Sequence, residues 1–264
     1  MDFSTTVVLG AIAGFTILLG LPLARLKEPS RALQGFCNAL AAGILVFLLW
    51  DVITKASDPV NIALANAKHG AVAPFVGLVT LFVVGFGLGL LGLFYIEKTL
   101  IRPTAHGVRA GDVTPRQLAL MIAVGIGAHN FSEGLAIGQS AVTGAISLAT
   151  ILIIGFGLHN MTEGFGIGAP LVAAGVRPSW RFLALVGLIG GGPTFLGTIV
   201  GFGFQSTYVF VAFLSLAAGS ILYVVGELLN AGRRLGFREL AGWGLLLGFL
   251  AGYATDLIVT WGGA

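Results

Sequence analysis

Residues 125–134 read Gly-Ile-Gly-Ala-His-Asn-Phe-Ser-Glu-Gly, and residues 155–164 read Gly-Phe-Gly-Leu-His-Asn-Met-Thr-Glu-Gly. His, Asn, Glu and the glycines coincide at an offset of thirty, each block inside an apolar run, 117–141 and 144–173. Both runs exceed the roughly 20 residues that carry a helix across the ~30 Å hydrocarbon core of a bilayer. On a helix, positions i and i+4 share a face, so His129 projects beside Glu133 and His159 beside Glu163. A carboxylate at the middle of a span costs a few kcal/mol unless it is paired or faces water, and here two such costs fall on adjacent spans.

Outward from these blocks, further apolar runs cover 5–25, 34–54, 72–97, 181–203, 207–231 and 239–262. The fold expected is therefore an all-α integral membrane protein of eight transmembrane helices, one transport domain over residues 1–264. Composition agrees: 56% of residues are hydrophobic and 9% charged, whereas a water-soluble surface needs about a quarter charged. The 41 glycines suit a bilayer, where they let helix backbones approach closely. A single cysteine, Cys37, excludes an internal disulfide framework and a thiolate-rich metal site. The N-terminus has neither the basic region nor the small-residue cleavage pattern of a secretory signal, so the first run is expected to be a retained helix. A net charge of +3 is too small to argue for nucleic acid.

The distribution of that charge fixes an expected orientation. Arg25, Lys27, Arg31, Lys98, Arg102, Arg109, Arg116, Arg177, Arg181, Arg233, Arg234 and Arg238 all fall in breaks on one side, and only Lys55 and Lys68 on the other. By the positive-inside rule both termini lie outside the cytoplasm, in a cell (inner) membrane.

A second repeat pairs Leu40-Ala41-Ala42-Gly43, eight residues before Asp51 when counted from Gly43, with Leu216-Ala217-Ala218-Gly219, which precedes Glu227 by the same interval. The charge pattern runs these spans in opposite directions. A third pair, Glu97 and Asp256, falls near opposite membrane faces. Spans one to three and six to eight thus read as inverted repeats around spans four and five, a 3+2+3 bundle of the kind that places a transport site at the midplane.

Two imidazoles and two carboxylates would neutralise the acids with a divalent transition metal such as Zn²⁺, Fe²⁺, Mn²⁺ or Cd²⁺. Ca²⁺ and Mg²⁺ prefer all-oxygen shells. A structural polar cluster or a proton relay is the plain alternative for any single residue, and duplication weighs against it for the set. Asn130 and Asn160 either ligate weakly or orient the ligands. Asp51 and Glu227 read as relay points on the pathway or as ordinary solvated carboxylates. His69 and His106 read as solvated loop residues, and Trp50, Trp180, Trp243 and Trp261 as an interfacial aromatic belt.

At these residues the chain resembles the ZIP family of zinc and iron transporters, whose fourth and fifth helices carry His-Asn-x-Pro-Glu-Gly motifs. The resemblance is specific in 129–134 and 159–164 and supported by Gly226-Glu227. It implies an eight-helix inverted-repeat bundle that imports metal toward the cytoplasm, zinc first, commonly as a homodimer. Ser132 and Thr162 stand where the family has proline, so any kink must come from glycines or hydroxyl back-bonding. Gly192 precedes Pro193 where the family often has a Glu-Pro pair, which predicts one tight metal position instead of two.

The expectation is a metal carrier, not an enzyme, with membrane lipid and the metal as partners and no cofactor beyond the cargo. An intramembrane metalloenzyme is the competing reading, but His-Glu-x-x-His and Glu-x-x-His are both absent. A proton or monovalent-cation transporter is the other, separable by metal analysis.

Overall fold

The computed structural model describes residues 2–25, 30–96, 113–142, 146–204, 206–236 and 238–261, and every regular element among them is helical. The first pass is broken: α1 (Phe3–Phe15) and α2 (Ile17–Gly20) are separated at Thr16 and followed by a 3₁₀ turn, Leu21–Arg25. The longer helices are α3 (Arg31–Ala67), α4 (Val72–Ile96), α5 (Pro115–Val142), α6 (Ile146–Ala173), α7 (Trp180–Gly203), α8 (Thr207–Leu235) and α9 (Arg238–Trp261). Seven segments among the described residues are long and apolar enough to cross a membrane: the first pass, α3, α4, α5, α7, α8 and α9. Glu97, His106, Lys27, Lys98, Arg102 and Arg109 lie outside the described residues.

Local chemistry sets the helix ends. Asp2, Ser30, Ser179 and Ser206 accept from Thr5, Leu33, Phe182 and Val209 backbone N–H groups, capping α1, α3, α7 and α8. At α5, Gln117 Oε1 accepts the Thr114 N–H while Thr114 Oγ1 accepts that of Gln117, with Pro115 at the first helical position. Gly236 closes α8 with φ +82°, a left-handed conformation that any Cβ would strain.

One boundary departs from the sequence expectation. The break foreseen after residue 54 does not occur; α3 continues to Ala67 through Lys55 and Pro59. At 1.5 Å per residue it spans about 55 Å, well beyond a ~30 Å apolar layer. Lys55 bonds Asp51 one turn back at 2.9 Å, an i,i+4 pair that favours helix, and the hydroxyls of Thr54 and Ser57 turn onto carbonyls of the preceding turn. Polarity in this stretch does not end the helix.

The most extensive packing is of α5 on α7, α3 on α9, α4 on α8 and α3 on α8. Backbone meets backbone at glycines, and the encounters come in matched sets. A Cβ at Gly14 would strike the Gly191 carbonyl, and one at Gly191 the Gly14 carbonyl. Gly134 meets the Thr194 carbonyl as Gly164 meets that of Ile17, and Gly43 meets the Leu245 carbonyl as Gly219 meets that of Phe86. Cys37 is buried and unpaired with another thiol, as a packing residue would be. The four tryptophans are exposed along the outer surface, the placement a belt requires.

Candidate metal centre

The two repeated blocks lie on α5 and α6, which pack against each other. His129, Glu133, His159 and Glu163 are all buried, Glu163 completely. Their ligand atoms converge: one from each of His129, Glu133 and His159 fit within 4.8 Å of one another. Glu133 Oε1 is the hub, 3.3 Å from His129 Nε2 and 3.6 Å from His159 Nε2. Glu163 Oε1 approaches His159 Nε2 at 3.6 Å. The sequence grouping of four is therefore reproduced as a tight set of three with Glu163 attached through His159.

Hydrogen bonding among the described residues leaves the inner atoms of this set open. Beyond the imidazole–carboxylate approaches just given, His129 Nδ1 and Nε2, His159 Nε2, Glu133 Oε2 and Glu163 Oε1 are buried with no hydrogen-bond partner among those residues. Orphaned buried polar atoms cost about 1–3 kcal/mol each, more if charged. A cation among them would satisfy several at once, because both carboxylates and both neutral imidazoles present lone pairs.

The asparagines occupy a layer beside the carboxylates. Asn130 Nδ2 lies 3.0 Å from each of three acceptors, Asn160 Oδ1, Glu163 Oε2 and the Gly190 carbonyl. Asn160 Nδ2 donates to the Ala13 carbonyl at 2.8 Å. Asn160 thus has both polar atoms engaged in protein contacts, whereas Asn130 Oδ1 is unpartnered. Geometry separates two residues that the sequence treats alike.

Several neighbours were not foreseen. Thr255 Oγ1, on α9, lies 3.2 Å from His159 Nδ1. Lys55 Nζ lies between Asp51, at 2.9 Å, and Asp256, at 3.7 Å. Lys55 was expected on the outer loop; instead it lies within α3, with its ammonium paired to carboxylates of α3 and α9. The Asp51-x-x-x-Lys55 spacing was visible as an i,i+4 pair, but nothing in the sequence brings Thr255 or Asp256 to it. Asp51 is buried beside this cluster, while Glu227 is half-buried on α8 and does not join the trio that could hold a metal.

These features define an all-helical integral membrane protein with a buried imidazole–carboxylate centre able to hold a metal cation. Residues 102–254 match the family described as ZIP zinc transporter. Across 257 residues the chain is 29% identical to the zinc transporter ZupT of Streptococcus mutans, covering 93% of this chain and 94% of that protein. The family match spans more than half of the chain and includes both repeated blocks, and the chain belongs to the ZIP zinc transporter family.

Proposed function

We propose that the protein carries divalent transition-metal ions, zinc first, across the cell membrane toward the cytoplasm, with His129, Glu133, His159 and Glu163 as the midplane ligands. The observation that carries this reading is the convergence of His129, Glu133 and His159 within 4.8 Å around atoms left without hydrogen bonds. Two nitrogens and carboxylate oxygens form a donor set suited to Zn²⁺, with Fe²⁺, Mn²⁺ and Cd²⁺ as competitors. The similarity to the streptococcal zinc transporter points the same way.

The architecture proposed is eight spans in a 3+2+3 inverted repeat, with α6 as the fifth, both termini outside the cytoplasm, and assembly as a homodimer. Matched glycine contacts support the repeat: Gly14 with Gly191, and Gly134 on Thr194 beside Gly164 on Ile17. So do Asn130 and Asn160, which donate to the carbonyls of Gly190 and Ala13, residues lying one before Gly191 and Gly14.

Within the centre, Asn160 acts as an orienting residue, since its amide nitrogen and its oxygen are each engaged by protein. Asn130 keeps one oxygen that can reach a metal. One metal position is proposed, because Gly192 supplies no carboxylate.

The test is uptake of Zn²⁺ and Cd²⁺ into proteoliposomes, with bound metal counted in the purified protein. His129→Ala and Glu163→Ala are expected to reduce uptake strongly; uptake unchanged in both removes the basis of the reading.

A further inference from the structure

The two histidines of the centre have the same sequence context and different surroundings. His159 Nδ1 lies 3.2 Å from Thr255 Oγ1, and Thr255 is itself buried. His129 Nε2 faces the Glu133 carboxylate at 3.3 Å, and its Nδ1 has no hydrogen-bond partner among the described residues. A threonine hydroxyl has one proton to give. Thr255 Oγ1 stands 2.8 Å from the Gly252 carbonyl, which can only accept, so the hydroxyl proton points there. The Thr255 oxygen then faces His159 Nδ1 with a lone pair, and that contact is a hydrogen bond only if Nδ1 carries the imidazole proton. In the neutral ring this leaves Nε2 unprotonated. Nε2 is the nitrogen aimed at Glu133 Oε1 and Glu163 Oε1, each 3.6 Å away.

We propose that Thr255 is a positioning residue for the metal centre: it fixes His159 in the Nδ1-protonated tautomer and presents a ready Nε2 lone pair, whereas among the described residues no such outer partner holds His129 Nδ1. This rests on the reading of His159 as a ligand. The hydroxyl is held at its station by its neighbour. Asp256 approaches Lys55 of α3 at 3.7 Å, and close contact of Gly248 with the Leu40 carbonyl fixes the register of α9 on α3. A hydrogen-bonded outer partner sets both ring orientation and basicity of a ligating histidine, and its loss typically weakens metal affinity about ten- to a hundredfold.

The experiment uses the full-length protein in detergent or nanodiscs, with ¹⁵N-labelled histidine and Zn²⁺ as the probe. In the metal-free protein, at a pH where imidazole is neutral, His159 is expected to show the Nδ1-protonated signature, and Thr255→Val to lose it. Zn²⁺ affinity, read by chelator competition, is expected to fall about ten- to a hundredfold in Thr255→Val. Thr255→Ser, which retains the hydroxyl, is expected to restore both readouts. In a His159→Ala background, Thr255→Val should have little further effect, while in a His129→Ala background its full effect should persist.

A His159 tautomer unchanged by Thr255→Val, or equal affinity losses in the two backgrounds, overturns the assignment. Failure of the wild-type protein to bind Zn²⁺ would instead count against the metal reading. The tautomer of the metal-free protein still decides the role of Thr255 in that event.

Discussion

The α5 half of the centre and the α6 half carry the same motif, and the protein surrounds them differently. On α5, Glu133 lies within reach of both imidazoles, and His129 Nδ1 has no partner among the described residues. On α6, His159 is engaged by Thr255 and Glu163 by Asn130. Duplication therefore supplied two equal sets of donors, and neighbouring helices made one set shared and open and the other held. A repeat in sequence establishes kinship of chemistry, not equivalence of role.

The largest effect should separate the two acids. Glu133→Ala removes the oxygen common to both histidines, and is expected to weaken metal binding by about 3 kcal/mol, roughly a hundredfold. Glu163→Ala, which loses contacts to one histidine and one asparagine, should cost about tenfold. Equilibrium metal binding on purified variants measures both, and equal losses would erase the distinction between the halves.

Packing should show where the halves remain alike. Gly134→Ala and Gly164→Ala each drive a methyl into a backbone carbonyl, of Thr194 and Ile17 respectively. Overpacking of this kind is expected to destabilise each by about 1–3 kcal/mol, read as a lowered melting temperature in detergent. Gly92→Ala, where nothing lies within 4 Å of the added atom, should leave it unchanged. A marked asymmetry between the first two would extend the inequivalence from ligands to scaffold.

The smallest effect concerns Lys55, whose ammonium lies 2.9 Å from Asp51 and 3.7 Å from Asp256. Its side chain is partly exposed, so water and salt screen its influence on the centre to about 1 kcal/mol. Lys55→Met is expected to change metal affinity by less than about fivefold, with the difference shrinking at high salt. A larger, salt-insensitive change would show that the cation is integral to the α5 half.

Sequence reading reached the helical membrane class and the pairing of His129 with Glu133 and His159 with Glu163 on their helices because both rest on local rules. Apolar run length sets a span, and i,i+4 spacing puts His129 over Glu133 and His159 over Glu163 whatever the rest of the chain does. It missed the continuation of α3 to Ala67, since a polar stretch has the same composition whether the helix stops or merely leaves lipid. It also missed Thr255. A threonine one residue from Asp256 in an apolar run carries no mark of the histidine ninety-six positions away, and only tertiary packing of α6 on α9 creates that contact. The asparagines fall between these cases: their recurrence was plain, but the different fates of Asn130 and Asn160 depend on what each amide meets across the helix interface.

The layer formed by Asn130, Asn160, Ala13 and Gly190 joins α5, α6, α1 and α7 through buried amide hydrogen bonds. Parting α5 from α6, α5 from α7 or α6 from α1 would strand an amide group in a medium with no water to receive it, at a few kcal/mol for each group exposed. The four helices are in that sense a single clasped cassette, and the metal centre travels, if it travels at all, with its holder closed around it.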